Sequence, residues 1–302
     1  MEKAYAAGRY EMACGLLPPG LREAALSVDR ERKAASSELR LRVDRPLHLV
    51  LPGGEVSVPG TNVTPEAMEQ VLDRATEYSR YTAAESLRRG YVTAEGGFRV
   101  GVCGTAVPLS AENTDIRSIS SLAIRIPRAV EGAALPVLPE LLEAGRPQST
   151  LILSPPGGGK TTLLRDLVRL LSEGTELTPG HRVALVDERG ELAAVHRGRP
   201  QLEVGPLTDI LDGCPKAMAV PMLLRAMAPE IIALDELSLK EDVEAVLGAV
   251  GCGVVLLATV HAASVEELRR RPLFRGLLEA GAFRRAVVIE GKDRRCRVEV
   301  LP

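Results

Sequence analysis

Tryptophan is absent from the 302 residues, and the other aromatics are five tyrosines and three phenylalanines. Single-stranded nucleic acid is gripped by stacking bases on aromatic rings, so that binding class has little to work with here. The formal net charge is only −2, which removes a bulk field toward nucleic acid or an anionic membrane. Nucleic acid is therefore not an expected partner. The five cysteines, Cys14, Cys103, Cys214, Cys252 and Cys296, form no C-x-x-C pair. An odd number of scattered thiols is neither a disulfide framework nor a zinc knuckle, and reads as free thiols in a reducing compartment. No apolar run approaches the roughly 20 residues that span a bilayer. The opening "MEKAYAAGRYEMACGLLPPG" is broken by charges, unlike a signal peptide. The expected location is cytoplasmic, with recruitment to the inner face of a membrane only through partners.

What is present is ordinary for a folded chain: 45% hydrophobic and 26% charged residues. The length allows two domains, and the pattern changes once. Residues 1–133 read as a smaller α+β domain. Within it, "ELRLRVDRPLHLVLPGGEVSV" alternates apolar and polar around a Pro-Gly-Gly turn, as antiparallel strands do. "TPEAMEQVLDRATEYS" offers Thr64 as N-cap, Pro65 at the first helical position, and Met68, Val71, Leu72 and Ala75 on one face. "GYVTAEGGFRVGVCGTAVPL" reads as a hairpin about Glu95-Gly96-Gly97, and "SLAIRIPRAV" as a further strand.

Residues 134–302 carry five short apolar runs: "LIL" (151–153), "VALV" (183–186), "IIAL" (231–234), "VVLLATV" (254–260) and "AVVI" (286–289). Helical patterns separate them. Wholly apolar strands alternating with helices predict an α/β domain with a mostly parallel sheet covered on both faces. Two helix starts are predicted as capping boxes, Ser238-x-x-Glu241 and Ser264-x-x-Glu267.

Open α/β sheets bind ligands at the carboxyl ends of their strands, so the residues that follow each run matter most. "LIL" leads into "SPPGGGKTT", Ser154, Pro155, Pro156, Gly157, Gly158, Gly159, Lys160, Thr161 and Thr162. This has the spacing of a phosphate-binding loop, with Ser154 where the first glycine usually stands. The glycines let backbone N–H groups curl around a phosphate, and a helix starting at Lys160 adds the positive end of its dipole. The ammonium of Lys160 suits the β- and γ-phosphates of ATP. The Thr161 hydroxyl and the carboxylate of Asp235 suit Mg²⁺. "VALV" leads into Asp187-Glu188-Arg189, "IIAL" into Asp235-Glu236, and "VVLLATV" into His261. Glu236 or Glu188 is the candidate for polarising an attacking water, and His261 for sensing the γ-phosphate. His48, His181 and His196 read as surface residues. The basic runs "RRRP" (269–272) and "DRRCR" (293–297) read as solvated faces.

In order, "SPPGGGKTTLLRDLVRLLS", "VALVDERGELA", "DILDGCPKA", "APEIIALDEL", "SLKEDVEAVLGAV" and "TVHAAS" resemble the stage III sporulation protein AA family, grouped with the ATPases of type II and type IV secretion. "ELRLRVDRPL", "RRGYVTAEGGFRVGVCGTAV" and "SISSLAIRIPR" extend the resemblance from about residue 38 to the end. It implies a RecA-like P-loop ATPase domain, ATP and Mg²⁺ as cofactors, and a homo-oligomeric, hexameric ring. Membrane-bound subunits of a secretion-like complex would be its partners. The implied role is to energise transport between mother cell and forespore during endospore formation. Asp187-Glu188 would match the family's acidic box, Asp235-Glu236 its Walker B segment and His261 its histidine box. An arginine from another domain or subunit would complete the site, with Arg117, Arg125, Arg128 and Arg189 as candidates. Two departures stand out: Leu237-Ser238 where Ile-Gly is usual, and "TVHAAS" where Thr-Ala-His-Gly is usual. Two other functions stay open at this point, an ATP-dependent ring scaffold or switch with little hydrolysis and a nucleic-acid-associated ATPase.

Overall fold

The computed structural model describes residues 2–79, 83–88, 90–108, 114–127, 130–291 and 293–302. The chain packs as two compact units, residues 1–128 with 195–201, and residues 129–194 with 202–302.

The first unit opens with α1 (Glu2–Ala13), α2 (Pro19–Leu26) and α3 (Arg30–Ala35). Three strands follow, β1 (Glu38–Arg42), β2 (His48–Leu51) and β3 (Gly54–Ser57), then α4 (Pro65–Ala75) and α5 (Ala84–Arg88). β4 (Tyr91–Ala94), β5 (Phe98–Pro108) and β6 (Thr114–Arg125) complete an antiparallel sheet in the order β3-β2-β1-β6-β5-β4. Alternation decides which face is buried: Leu39 and Leu41 are fully buried between partly exposed Glu38, Arg40 and Arg42. They join Leu49, Val100, Leu122 and Ile124 in a core against Met68, Val71 and Leu72 of α4. Thr64 caps α4 by accepting from the Ala67 N–H at 3.2 Å. His196, read from sequence as a surface residue, is instead largely covered, with Nε2 2.5 Å from Glu77 Oε1.

The second unit starts with a short hairpin, β7 (Leu142–Glu143) and β8 (Arg146–Pro147). The main succession is β9 (Thr150–Ser154), α6 (Lys160–Glu173), β10 (Val183–Asp187), β11 (Thr208–Asp212), α7 (Lys216–Ala226), β12 (Ile231–Leu234) and α8 (Lys240–Ala249). β13 (Val255–His261), α9 (Val265–Arg270), α10 (Pro272–Glu279), β14 (Arg285–Glu290) and β15 (Arg295–Val300) complete it. The sheet order is β11-β10-β12-β13-β9-β14-β15, parallel throughout except for the β14–β15 pair. β9, β10 and β12 are buried at every residue. Each buried Leu, Ile or Val there contributes roughly 1.5–3 kcal/mol. On α6, Leu163, Leu164, Leu167, Val168 and Leu171 are all buried.

The two predicted caps fare differently. Ser264 caps α9, accepting from the Glu267 N–H at 3.1 Å. The box at Ser238–Glu241 does not form; α8 begins later, and Asp242 Oδ2 accepts from the N–H groups of Ser238 and Leu239, each at 3.1 Å. An aspartate inside the first turn reaches back to both orphan donors, so no serine hydroxyl is needed.

Register fixes the chemistry to one edge. Ser154 lies opposite His261, Leu153 opposite Val288, and Leu234 between Val186 and Ala258. The residues that leave β9, β10, β12, β13 and β14 therefore emerge together.

Candidate active site

The loop from Ser154 to Lys160 turns sharply because its glycines permit it. Gly159, at the N-cap of α6, has φ 101°, a left-handed value that favours glycine. Gly158 is glycine for a different reason. A Cβ there would stand 2.2 Å from Ser154 Oγ and 2.8 Å from Ser154 Cβ. The serine in place of the usual first glycine thus fills the space beneath the loop, fully buried, with Oγ donating to Pro155 O at 2.8 Å. Gly158→Ala is expected to destabilise the unit by about 1–3 kcal/mol, the usual penalty of overpacking. Ser154→Gly in the same chain should recover most of that loss. Urea unfolding of the two single variants and the double variant checks the coupling; additive losses would sink it.

Lys160 is 6% exposed. Its Nζ donates to Ser154 O at 3.0 Å and Pro155 O at 3.2 Å, and lies 2.8 Å from His261 Nδ1. Burial lowers its pKa, while the charges of Asp235 and Glu236 pull the other way. As Lys160 donates to Nδ1, the neutral ring carries its proton on Nε2, which faces Glu236 Oε1 at 3.5 Å. Glu236 Oε2 accepts from Arg189 Nη1 at 2.9 Å. Glu236 itself has φ 47°. A non-glycine residue in that region costs about 1–3 kcal/mol and persists only where its surroundings fix it. Here the Glu236 N–H donates to Thr259 Oγ1 at 2.7 Å.

Thr259 also donates to Asp235 Oδ1 at 2.6 Å, while Asp235 Oδ2 accepts from Thr161 Oγ1 at 3.0 Å. One carboxylate is thus held from both sides, with Thr161 in the first turn of α6. Hard oxygen donors from a hydroxyl and a carboxylate suit Mg²⁺, which takes one or two protein ligands and completes its shell with phosphate and water oxygens. The Thr161 hydroxyl and the Asp235 carboxylate fit an ion of that kind.

Six sequence-predicted residues, Lys160, Thr161, Asp235, Glu236, His261 and Arg189, fall in this connected group. Thr162 follows in the first turn of α6, half-buried, and Pro155 and Pro156 are exposed on the approach. The acidic pair after β10 behaves differently. Asp187 is fully buried and accepts from the N–H groups of Glu191, Leu192, Ala193 and Ala194 at 2.8, 3.0, 2.8 and 3.3 Å. Its charge organises its own loop, which Arg165 of α6 also holds through Leu192 O and Glu191 O, both at 2.6 Å. Glu188 lies outside the Lys160–Glu236 group, with Oε2 2.5 Å from Lys216 Nζ. Arg117 and Arg125 lie on β6 of the first unit, Arg125 facing Glu38 at 3.3 Å. Arg128 falls outside the described residues.

Three residues of this edge escaped sequence reading. Thr259 looked like a filler in an apolar run, although a fully buried hydroxyl demands partners. Lys216 stands in "DILDGCPKA" with no pattern that marks it. Arg294, read as part of a solvated face, lies against the glycine loop: a Cβ on Gly159 would meet its Cδ at 3.5 Å and Nε at 3.6 Å. Its signal was topological, since β14 pairs with β9 and the turn after β14 must open beside the loop after β9.

No helix among the described residues is long and apolar enough to cross a membrane. The family described as "Sporulation stage III, protein AA" matches residues 11–301. Over 270 residues, 89% of this chain and 87% of the relative, the sequence is 38% identical to stage III sporulation protein AA of Bacillus subtilis (strain 168). Among solved structures, the ATPase DotB of Legionella pneumophila superposes with TM-score 0.57 at 18% identity, covering 89% of this chain and 78% of DotB. The pilus retraction motor PilT, solved with bound ADP, superposes with TM-score 0.60 at 16% identity, covering 88% and 79%. The likeness to these two is one of fold: an α/β unit with a mostly parallel sheet, preceded in the chain by an antiparallel one.

Proposed function

We propose, from the premise that this chain belongs to the Sporulation stage III, protein AA family, that it is a Mg²⁺-dependent ATPase acting as a homo-oligomeric ring. Its work would be to energise a secretion-like apparatus between mother cell and forespore, with membrane-bound subunits as partners. The observation that carries the reading is the single connected group from Lys160 through His261 to Glu236 and Arg189, beside the Thr161–Asp235–Thr259 chain. A site for binding alone needs the glycine loop and the lysine. It does not need a carboxylate held in a strained turn next to a histidine and an arginine.

The roles follow from placement. The amides of Gly157 to Thr161 and the ammonium of Lys160 receive the phosphates. Thr161 and Asp235 would hold Mg²⁺, which would supply charge neutralisation for the phosphates. Glu236 takes the proton of the attacking water, with Oε1 turned toward His261 and Oε2 toward Arg189. Arg189, half-exposed, is the candidate to move from Glu236 to the γ-phosphate. Glu188 is the partner of Lys216, which leaves Glu236 as the favoured base.

The test is phosphate release measured together with assembly state, with and without ATP and Mg²⁺. Slow turnover that rises on assembly and stops with chelator is the expected result. Assembled protein that binds ATP and never releases phosphate would favour a scaffold and sink the motor.

A further inference from the structure

Lys216, the first residue of α7, is in a costly place. A cation in the first turn of a helix opposes the helix dipole, and this one is 4% exposed. A buried ammonium is tolerated only with close opposite charge. Two carboxylates provide it, Glu188 Oε2 at 2.5 Å and Asp242 Oδ2 at 3.9 Å. Asp242 is itself 3% exposed and holds the N–H groups of Ser238 and Leu239. Those residues come directly after Asp235, Glu236 and Leu237. One buried charge therefore joins the loop after β10 to the segment after β12, at the same sheet edge as the glycine loop. Among the described residues it makes no bond to Asp235 or Glu236, the two carboxylates whose charges act on Lys160.

We propose that Lys216 is a positioning residue that gives the two glutamates different tasks. It keeps Glu188 as a paired carboxylate that cannot serve as base. Through Asp242 it fixes the backbone at Ser238 and Leu239, and with it the left-handed turn that aims Glu236. The proposal rests on the hydrolytic reading above. It adds that the choice of base is set by a lysine outside the Lys160–Glu236 group.

Full-length wild type, Lys216→Met, Glu188→Gln and the double variant are compared for ATP affinity, phosphate release and urea unfolding. Lys216→Met should lower kcat by about 100-fold, as small misplacements of a reacting group do, while ATP affinity stays within about threefold. Glu188→Gln should keep at least about a tenth of wild-type turnover. The double variant should recover only part of the Lys216→Met loss, because the stranded Glu188 carboxylate is gone while Asp242 stays without its cation. Glu188→Gln as inactive as Glu236→Gln would make Glu188 the base and overturn the proposal. A double variant with multiplied losses would also overturn it. Should Lys216→Met not fold, the double variant against Glu188→Gln decides: turnover roughly tenfold lower at ATP affinity within about threefold supports the proposal, while equal turnover, or a loss of about 100-fold or more, refutes it. Wild type that releases no phosphate removes the hydrolytic reading and this assignment together; wild type that turns over normally beside multiplied losses removes only the assignment.

Discussion

Lys160→Ala should leave no measurable ATP turnover and should weaken ATP binding, with the unit still folded. The lysine side chain is buried and bonds to two backbone carbonyls of its own loop and to His261. Its loss takes the only ammonium from a group that holds the carboxylates of Asp235 and Glu236. A triphosphate brings still more negative charge to the same place. Without the lysine, three sources of negative charge meet with one fixed positive charge fewer to oppose them. Removing one fixed donor from a transition state costs about 10²–10³ in rate, and here a full charge goes, so the loss should reach the upper end or beyond. Lys160→Met, which keeps the chain's apolar length, should be as inactive; this separates charge from packing. Urea unfolding should change little, since burial already lowers the lysine's pKa and works against its charged form. Turnover of either variant within about tenfold of wild type would remove Lys160 from the chemistry.

The sequence showed the second unit's frame clearly, and physics says why. Strands buried on both faces must be apolar throughout, so "LIL", "VALV", "IIAL", "VVLLATV" and "AVVI" could hardly be anything but central strands. All five lie in the parallel part of the sheet, as β9, β10, β12, β13 and β14. Within that sheet the strands that escaped are the two at the edges. β11, "TDILD", and β15, "RCRVEV", each show solvent to one side and carry charges that blur the pattern. The grouping of residues 195–201 with the first unit left no trace in composition or periodicity, because it is a matter of tertiary packing alone.

The candidate site was legible wherever chemistry follows a strand directly. Residues that act from elsewhere were not. Thr259 sits inside a strand and matters because Asp235 directly follows the next strand over. Lys216 matters because α7 starts beside the loop after β10. Periodicity predicts which element a residue belongs to, and only strand order predicts which elements end side by side. The same limit explains Asp187 and Glu188. As a sequence they are one acidic pair. In the fold the first is buried under four amides, and the second turns to Lys216.

Glu236→Gln should separate binding from hydrolysis. The amide has the size of the carboxylate and can still accept from Arg189, while the turn at φ 47° is held by the backbone bond to Thr259, which the substitution does not touch. ATP affinity should therefore stay within about threefold of wild type. What the amide cannot do is take a proton from water. General-base catalysis is worth about 10²–10⁴, and kcat should fall by that amount at unchanged fold. Because substrate still binds, the variant should accumulate in the ATP-bound assembly, which sedimentation with ATP and Mg²⁺ would detect. Lys160→Ala should instead show no ATP-induced change. The contrast between the two variants is the sharper result: loss of binding in one and arrest after binding in the other is the pattern of a hydrolytic cycle. A scaffold would keep its function in Glu236→Gln, so equal sporulation efficiency of wild type and that variant would reject the motor even if the purified protein released phosphate.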